Sequence, residues 1–293
     1  MKVTTYEQVQ VDKSAVALGK FQGLHKGHML LLEKIASLKS EGLTSVAFTI
    51  NMPSEKVLYL PDERFSILES MGIDVAVECD FSEKFAAMSA ETFVVDILVN
   101  KLHAAYVVVG EDFRFGFNRE GTVDRLIEYG LKYGFRVIAF EKLCVNDDVI
   151  SSSLLRSLID SGDIGYASEL MGRDYSLTGI VSHGKKLGRT IGFPTVNIYP
   201  SSRKLLPPAG VYETRLMIDG EWYKGVTNVG DNPTTDGDGK TRVETYIVDY
   251  SGDMYGKVIT VYFKSFIRPE KKFNSIEELK KQIDMDKERV MHQ

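Results

Sequence analysis

Gly19-Lys-Phe-Gln-Gly-Leu-His-Lys-Gly-His28 decides how the first half of the chain folds. It follows an apolar run, Ala15-Val-Ala-Leu18, and opens onto His28-Met-Leu-Leu-Leu-Glu-Lys-Ile-Ala-Ser-Leu38, whose apolar residues recur at helical spacing. A buried strand, a glycine-rich turn and a helix N-terminus together suit a phosphate chain. Gly19, Gly23 and Gly27 let the backbone approach phosphate oxygens with no Cβ in the way, and the first helical turn offers N–H groups and the positive end of its dipole. His25 and His28 can donate hydrogen bonds to those oxygens as charge builds in a transition state.

Outward from this turn, strands and helices alternate. Ser45-Val-Ala-Phe-Thr-Ile50, Asp74-Val-Ala-Val-Glu78, Ala105-Tyr-Val-Val-Val109 and Arg136-Val-Ile-Ala-Phe140 read as buried strands, with helical patterns at 92–102 and 123–133. Short continuous apolar runs separated by helices indicate a parallel sheet covered on both faces, which binds ligands beyond the carboxyl ends of its strands. Two short helices, about 153–161 and 164–171, end at Gly172, and the pattern then changes. Strand-like runs at 177–182, 210–218, 222–228, 242–248 and 257–263 are separated by turn signals such as Asp219-Gly220 and Asp236-Gly-Asp-Gly239, which predicts an antiparallel barrel. A capped amphipathic helix from Ser275 closes the chain. Two domains, 1–172 and 173–293, are expected. The second carries its own glycine-rich stretch, Gly188-Arg-Thr-Ile-Gly-Phe-Pro-Thr-Val-Asn197, in a β context. Two unlike phosphate-handling segments on two domains imply two nucleotide sites.

The bulk composition agrees. The chain of 293 residues can bury two cores, and a net charge of −5 argues against nucleic-acid or anionic-membrane partners. No run approaches the ~20 apolar residues of a membrane span, so a soluble, cytoplasmic protein is expected. Cys79 and Cys144 lack metal-ligand spacing and read as small buried residues in a reducing compartment. The lone Trp222 reads as core. Monomer and homo-oligomer both stay open.

The first segment resembles the G-x-F-D-G-x-H-x-G-H signature of the bacterial bifunctional riboflavin kinase/FMN adenylyltransferase (FAD synthetase) family. Val109-Gly-Glu-Asp-Phe-Arg-Phe-Gly116 is similar to that family's second segment, and Ile150-Ser-Ser-Ser-Leu-Leu-Arg156 to its I-S-S-T-x-x-R segment. The resemblance implies an α/β nucleotidyltransferase domain with a Rossmann-like parallel sheet, followed by an antiparallel β-barrel riboflavin kinase domain with a C-terminal helix. In the first domain it implies adenylyl transfer from ATP to FMN, giving FAD and pyrophosphate. Gly19, Phe21, Gly23 and Gly27 fall in the nucleotide-binding signature. His25 and His28 would act at the α-phosphate, and Arg156, with Ser152 and Ser153 at a helix N-terminus, would hold the leaving pyrophosphate. Asp112 and Phe113 would line the nucleotide–flavin cleft. Two departures stand out: Gln22 replaces the family's aspartate, and Asn51-Met-Pro-Ser54 replaces a Pro-His-Pro turn. They motivate an alternative in which only the kinase works and the first domain is a flavin or nucleotide sensor or an assembly module.

The second half resembles the riboflavin kinase module more closely still, from Gly172 through Asn197 and again at Pro207-Pro-Ala-Gly-Val-Tyr212, Asn228-Val-Gly-Asp-Asn-Pro-Thr234, Phe266-Ile-Arg-Pro-Glu-Lys-Lys-Phe273 and Gln282-Ile-Asp-Met-Asp286. Thr195 and Asn197, two apart on a strand, face the same way and could bind Mg²⁺ with ATP. Gly184, Gly188 and Gly192 would form the loop over the phosphates. The resemblance makes Glu244 the general base toward the ribityl hydroxyl, and Arg268 and Phe273 the residues closing on the isoalloxazine. His183 and the pair Lys185-Lys186 would tune the nucleotide loop. Riboflavin, FMN and ATP are the expected small-molecule partners.

Overall fold

The protein is described by a computed structural model covering residues 1–52, 56–184, 188, 191–231 and 241–292. The chain forms two compact units.

The first unit, residues 1–55 and 60–152, is built on a six-stranded parallel sheet. Its strands are β1 (Lys2–Thr5), β2 (Ser14–Gly19), β3 (Thr44–Asn51), β4 (Val75–Asp80), β5 (Ala104–Gly110) and β6 (Arg136–Phe140), in the order β1-β4-β3-β2-β5-β6. Helices α1 (Lys26–Ser37), α2 (Pro61–Ser70), α3 (Glu83–Ala86), α4 (Ala90–Thr92) and α5 (Val123–Tyr133) connect them. Ala15, Val16, Ala17 and Leu18 of β2 are all buried, which is why the central strand reads as an unbroken apolar run. The helix expected at 92–102 is an α4 turn that passes into a π-helical stretch, Phe93–Val99. There Phe93, Val94, Ile97 and Leu98 all reach the core. The edge strand β1 was not legible in the sequence: three of its four residues are polar or charged and it buries little. A small hairpin, β7 (Cys144–Val145) with β8 (Asp148–Val149), precedes the end of the unit.

The second unit comprises residues 56–59 and 153–293. Its start differs from the expected boundary at 172/173 by two helices, α6 (Ser152–Ser161) and α7 (Ile164–Met171). The reason is burial. Leu155, Ile159, Ile164, Ala167, Leu170 and Met171 are all enclosed, and α7 packs on the barrel strands β9 (Tyr175–Ile180) and, later in the chain, β14 (Val258–Arg268). Three residues from far upstream, Val57, Leu58 and Tyr59, complete this core. The Val57 N–H donates to the Arg203 carbonyl at 2.7 Å, and the Leu205 N–H returns a bond to the Val57 carbonyl at 2.9 Å. The Tyr59 hydroxyl reaches Met171 Sδ. Buried Lys204 donates to the carbonyls of Leu58 (2.7 Å) and Ser176 (2.6 Å) while lying over the rings of Tyr59 and Tyr175.

With β10 (Thr195–Ile198), β11 (Gly210–Ile218), β12 (Glu221–Asp231) and β13 (Thr241–Ile247), the sheet runs β10-β13-β12-β11-β14-β9, antiparallel throughout. The Ser182 N–H donates to the Asn197 carbonyl at 2.8 Å, an isolated bridge between the chain just past β9 and β10 at the two ends of this order. Helix α8 (Ile276–His292) is capped by the Ser275 hydroxyl, which accepts from the Glu278 N–H, while the Glu278 carboxylate accepts from the Asn274 N–H.

Two expectations about single residues are corrected. Trp222 is exposed, carrying the Arg215 guanidinium on its ring at 4.2 Å rather than filling the core. Cys144 is exposed on its hairpin, whereas Cys79 is buried, and burial pushes its thiol up to about 12.

Candidate active sites

In the first unit, β2 lies between β3 and β5, so the strand order reverses beside β2 and opens a crevice at the carboxyl ends of β2 and β5. Gly19 ends one strand and Gly110 the other, which brings the Gly19–His28 and Gly110–Gly116 segments to one place. His25 caps α1: its Nδ1 accepts from the His28 N–H at 3.3 Å. Accepting at Nδ1 places the proton of the neutral ring on Nε2, giving a donor for an anion. The His28 ring stacks on His25 at 3.7 Å and meets Phe21 at 5.1 Å. The glycines serve the turn's own side chains. A Cβ at Gly19 would stand 3.2 Å from the Phe21 ring, and one at Gly27 would stand 3.2 Å from His25 Nδ1. Phe21 and Leu24 adopt positive φ, 46° and 41°, an uncommon backbone for bulky residues. Gln22 is buried in this turn. Asp112 is largely exposed and pairs with Lys142 at 3.0 Å.

Beside the crevice lies a cavity of about 860 Å³ whose walls include Phe48, Phe81, Phe85, Phe93, Phe113, Phe115 and Phe117. Phe93 stands edge-on to Phe48 and Phe85, with centroids 5.8 and 6.1 Å away, while Phe113 stacks on Phe115 at 5.6 Å. Arg114 and Arg119 supply the cations at its wall. Gly116, at φ 74°, is required where its neighbour's backbone closes in, since a Cβ there would collide with the Ala90 backbone. Of the ring set the sequence points to Phe113 alone. The other phenylalanines come from separate elements and share no local spacing.

Ser152 ends the first unit's share of the chain, and Ser153 and Arg156 belong to the second. All three lie in the first turns of α6.

The barrel holds the second site. Cross-strand register places Asn197, Glu244, Asn228, Val211 and Arg268 on one continuous rung across β10, β13, β12, β11 and β14. Glu244 Oε1 accepts from the Thr195 hydroxyl at 2.6 Å, and Oε2 pairs with Arg242 at 3.0 Å. Asn228 donates to Glu270 at 2.9 Å. These side chains border a cleft of about 260 Å³ with apolar walls from Ile191, Phe193, Val226 and Leu279. Arg268 and Phe273 both line it: the guanidinium lies 5.9 Å from the Phe273 ring and is anchored to buried Asp286 through Nε and Nη2. Asn197 is buried, and its Oδ1 accepts no hydrogen bond among the described residues. Gly188 also lines the cleft, and a Cβ there would run into the Phe193 carbonyl oxygen. Gly184 abuts the Asn197 amide, and Gly192 takes φ 90°. The His183 ring lies 3.9 Å from that of Tyr255, tilted by 34°. Lys185, Lys186, Pro53, Ser54 and the end of the Asn228–Thr234 segment lie outside the described residues. A further cavity of about 290 Å³ adjoins, bounded by Val181, Pro194, Tyr250, Met254 and Tyr255, and Thr195 lines both. Among the described residues no cluster of three His, Cys, Asp or Glu could cage a metal by itself.

A switch-point crevice with a histidine-capped helix, and a barrel with a carboxylate–hydroxyl pair at its cleft, define a transferase with two nucleotide sites. The comparisons make this specific. Residues 7–154 match the FAD synthetase family and residues 171–293 the riboflavin kinase family. The chain is 33% identical to the bifunctional riboflavin kinase/FMN adenylyltransferase of Escherichia coli K12 (95% of this chain, 92% of that protein). It is 34% identical to that of Bacillus subtilis (95% and 92%). A Streptococcus pneumoniae structure titled as a macrolide-efflux protein superposes over 100% of both chains with a TM-score of 0.88 and 29% identity. The chain belongs to the bifunctional riboflavin kinase/FMN adenylyltransferase family and carries both of its catalytic domains. The kinase-only alternative is not favoured.

Proposed function

We infer that Glu244 is the base of the riboflavin kinase site and that the paired histidines of the first unit serve FMN adenylylation. The observation that carries the kinase reading is the Thr195–Glu244 hydrogen bond at 2.6 Å, made by a threonine that lines two adjoining cavities. Riboflavin in the cleft and ATP in the neighbouring cavity would meet at this pair. The ribityl hydroxyl passes its proton to Glu244 as its oxygen attacks the γ-phosphorus, and ADP leaves. Thr195 and Asn197 would hold Mg²⁺. The donor set fits, because both offer hard oxygens and Asn197 Oδ1 is buried with no donor among the described residues. When bound, the ion neutralises phosphate charge. Gly188 and Gly184 let the chain over the phosphates pack close against Phe193 and Asn197, and Arg268 and Phe273 cover the flavin ring.

In the first unit, His25 and His28 would donate to the α-phosphate oxygens of ATP while the FMN phosphate attacks, and pyrophosphate leaves. Arg156, Ser152 and Ser153 are proposed to receive it on the strength of their place in the first turns of α6. The phenylalanine-lined cavity, together with Phe113, suits an isoalloxazine, and Arg114 and Arg119 suit an anionic flavin tail. Riboflavin, FMN and ATP are then the partners, and the cytoplasm is the proposed site of action. Its support is that both cysteines are free thiols and that no described helix is long and apolar enough to cross a membrane.

The test is a crossed pair of variants of the full chain, with FMN and FAD resolved over time. Glu244→Gln should lower FMN formation ~10²–10⁴-fold yet still convert supplied FMN to FAD. His28→Ala should lose FAD formation ~10²–10³-fold and still make FMN. A variant that fails in both reactions, or in neither, refutes its assignment.

A further inference from the structure

Arg242 stands two residues before Glu244 on β13, so both side chains project from the same face into the same cleft. Its Nη2 lies 3.0 Å from Glu244 Oε2, and this is its one ion pair among the described residues. The other cations at the cleft are differently placed. Arg268 is held by Asp286 through two nitrogens, and Lys271 lies over the Phe273 ring at 5.6 Å. Directly across from Arg242 on β12 is Gly230, which has no side chain, and the Glu270 carboxylate fills the place where its Cβ would stand. Arg242 and Glu244 thus line the cleft side by side.

An acceptor hydroxyl that gives its proton to Glu244 must lie ~2.6–3.2 Å from that carboxylate. An oxygen that close to Glu244 Oε2, itself 3.0 Å from Arg242 Nη2, lies within about 6 Å of that nitrogen. Guanidinium is a planar donor of five N–H bonds, of which the Glu244 contact uses few, and it binds phosphate through two parallel bonds. We propose that Arg242 is a further catalytic residue of the kinase site, binding the γ-phosphoryl oxygens during transfer and the phosphate of FMN afterwards. The inference rests on the kinase reading of Glu244 above. In the step, the bond from the ribityl oxygen to the γ-phosphorus forms and the bond from the γ-phosphorus to the β,γ-bridging oxygen breaks. The electron pair of the broken bond stays with ADP, and the hydroxyl proton goes to Glu244. Arg242 then exchanges a neutralised carboxyl for the oxygens of the new phosphate.

Riboflavin and FMN differ only in that phosphate, which makes the two flavins the probe. Initial rates are measured on the full chain with isotopically labelled riboflavin and Mg²⁺–ATP, counting labelled FMN plus FAD, at several concentrations of unlabelled FMN as product inhibitor. Arg242→Met should lower kcat by about 10–100-fold and weaken FMN inhibition at least about tenfold, with the riboflavin KM changed less than about threefold. Arg242→Lys, which keeps the charge but not the fork, should recover part of both. In Glu244→Gln the arginine loses its ion-pair partner, so FMN should bind more tightly than in wild type. Unchanged FMN inhibition in Arg242→Met, or a loss matched by an equal loss of riboflavin binding, overturns the inference. If Arg242→Met does not fold, the same ratio in Arg242→Lys decides: FMN inhibition identical to wild type with kcat intact refutes it. A Glu244→Gln variant that turns over normally instead brings down the kinase-site reading itself, which separates the two failures.

Discussion

Asp286 offers the most quantitative test of how the barrel holds the cleft proposed for the flavin. It is 3% exposed, and its carboxylate accepts from Arg268 Nε (3.1 and 3.0 Å), Arg268 Nη2 (2.7 Å) and Gln282 Nε2 (3.0 Å). Asp286→Ala strands the guanidinium. Breaking a buried pair from one side costs about 3–5 kcal/mol, but the Arg268 side chain is 20% exposed and regains some hydration, so about 2–4 kcal/mol is expected. For a unit of this size each kcal/mol moves the midpoint by about 2–4 °C, which puts the expected fall at about 4–16 °C. Scanning calorimetry of the full chain should show this in the second unit's transition, identified by its rise with riboflavin and ADP, and leave the first unit's in place. The riboflavin KM should increase as well, because Arg268 lines the cleft, while adenylylation of supplied FMN stays unchanged. The paired replacement Arg268→Met/Asp286→Leu removes both charges and should restore most of the lost stability, though not the KM. A fall below about 2 °C for Asp286→Ala, or an equal fall for the paired variant, would refute the claim that an uncompensated buried charge is the cost.

Two further outcomes follow from single contacts. Gly188→Ala sets a Cβ against the Phe193 carbonyl at the cleft, so FMN formation should fall at least about tenfold with FAD formation from supplied FMN intact, as read by product chromatography. Burial alone would raise the Asp74 carboxyl, but Lys39 at 2.7 Å and the Ser45 N–H and hydroxyl outweigh it and hold it below the usual carboxylate range. A folded-state pKa below the unfolded one means that this stabilisation is full above the unfolded value of about 3.9 and is lost as pH falls through the folded value. Urea midpoints of Asp74→Asn should therefore lie below wild type near neutrality and converge with it in acid.

The strands of both units were legible wherever burial is continuous or alternates cleanly, as in β2 and β11, because period and burial write directly into composition. The polar edge strand β1 was not, and neither was the π-helical turn at 93–99, whose apolar residues fit an ordinary helix equally well. The site was legible where its residues are close in sequence: His25 with His28, and Thr195 with Asn197. It was hidden where the fold gathers residues from afar. Seven phenylalanines spread between positions 48 and 117 meet in one cavity, and Glu270 takes the place that Gly230 leaves open. The kinase family match begins at residue 171, beside the expected boundary, whereas the compact unit begins at 153. Gly172 does end a helix, in a left-handed cap, but a helix stop is a local event and the packing of α7 against the barrel strands is not.

The four residues that the second unit takes from the first half of the chain set an order of events during synthesis. Leu58 leaves the ribosome early, yet the Lys204 ammonium that holds its carbonyl is translated 146 residues later. At ~5–20 residues per second that interval is about 7–30 s. Throughout it, Val57, Leu58 and Tyr59 have no barrel to enter, so a nascent chain with a finished parallel sheet still carries an apolar tripeptide awaiting its partner. The same crossing means that one proteolytic cut near residue 152 leaves the halves joined by a noncovalent strand, and a kinase unit translated from its own start codon is born without part of its core.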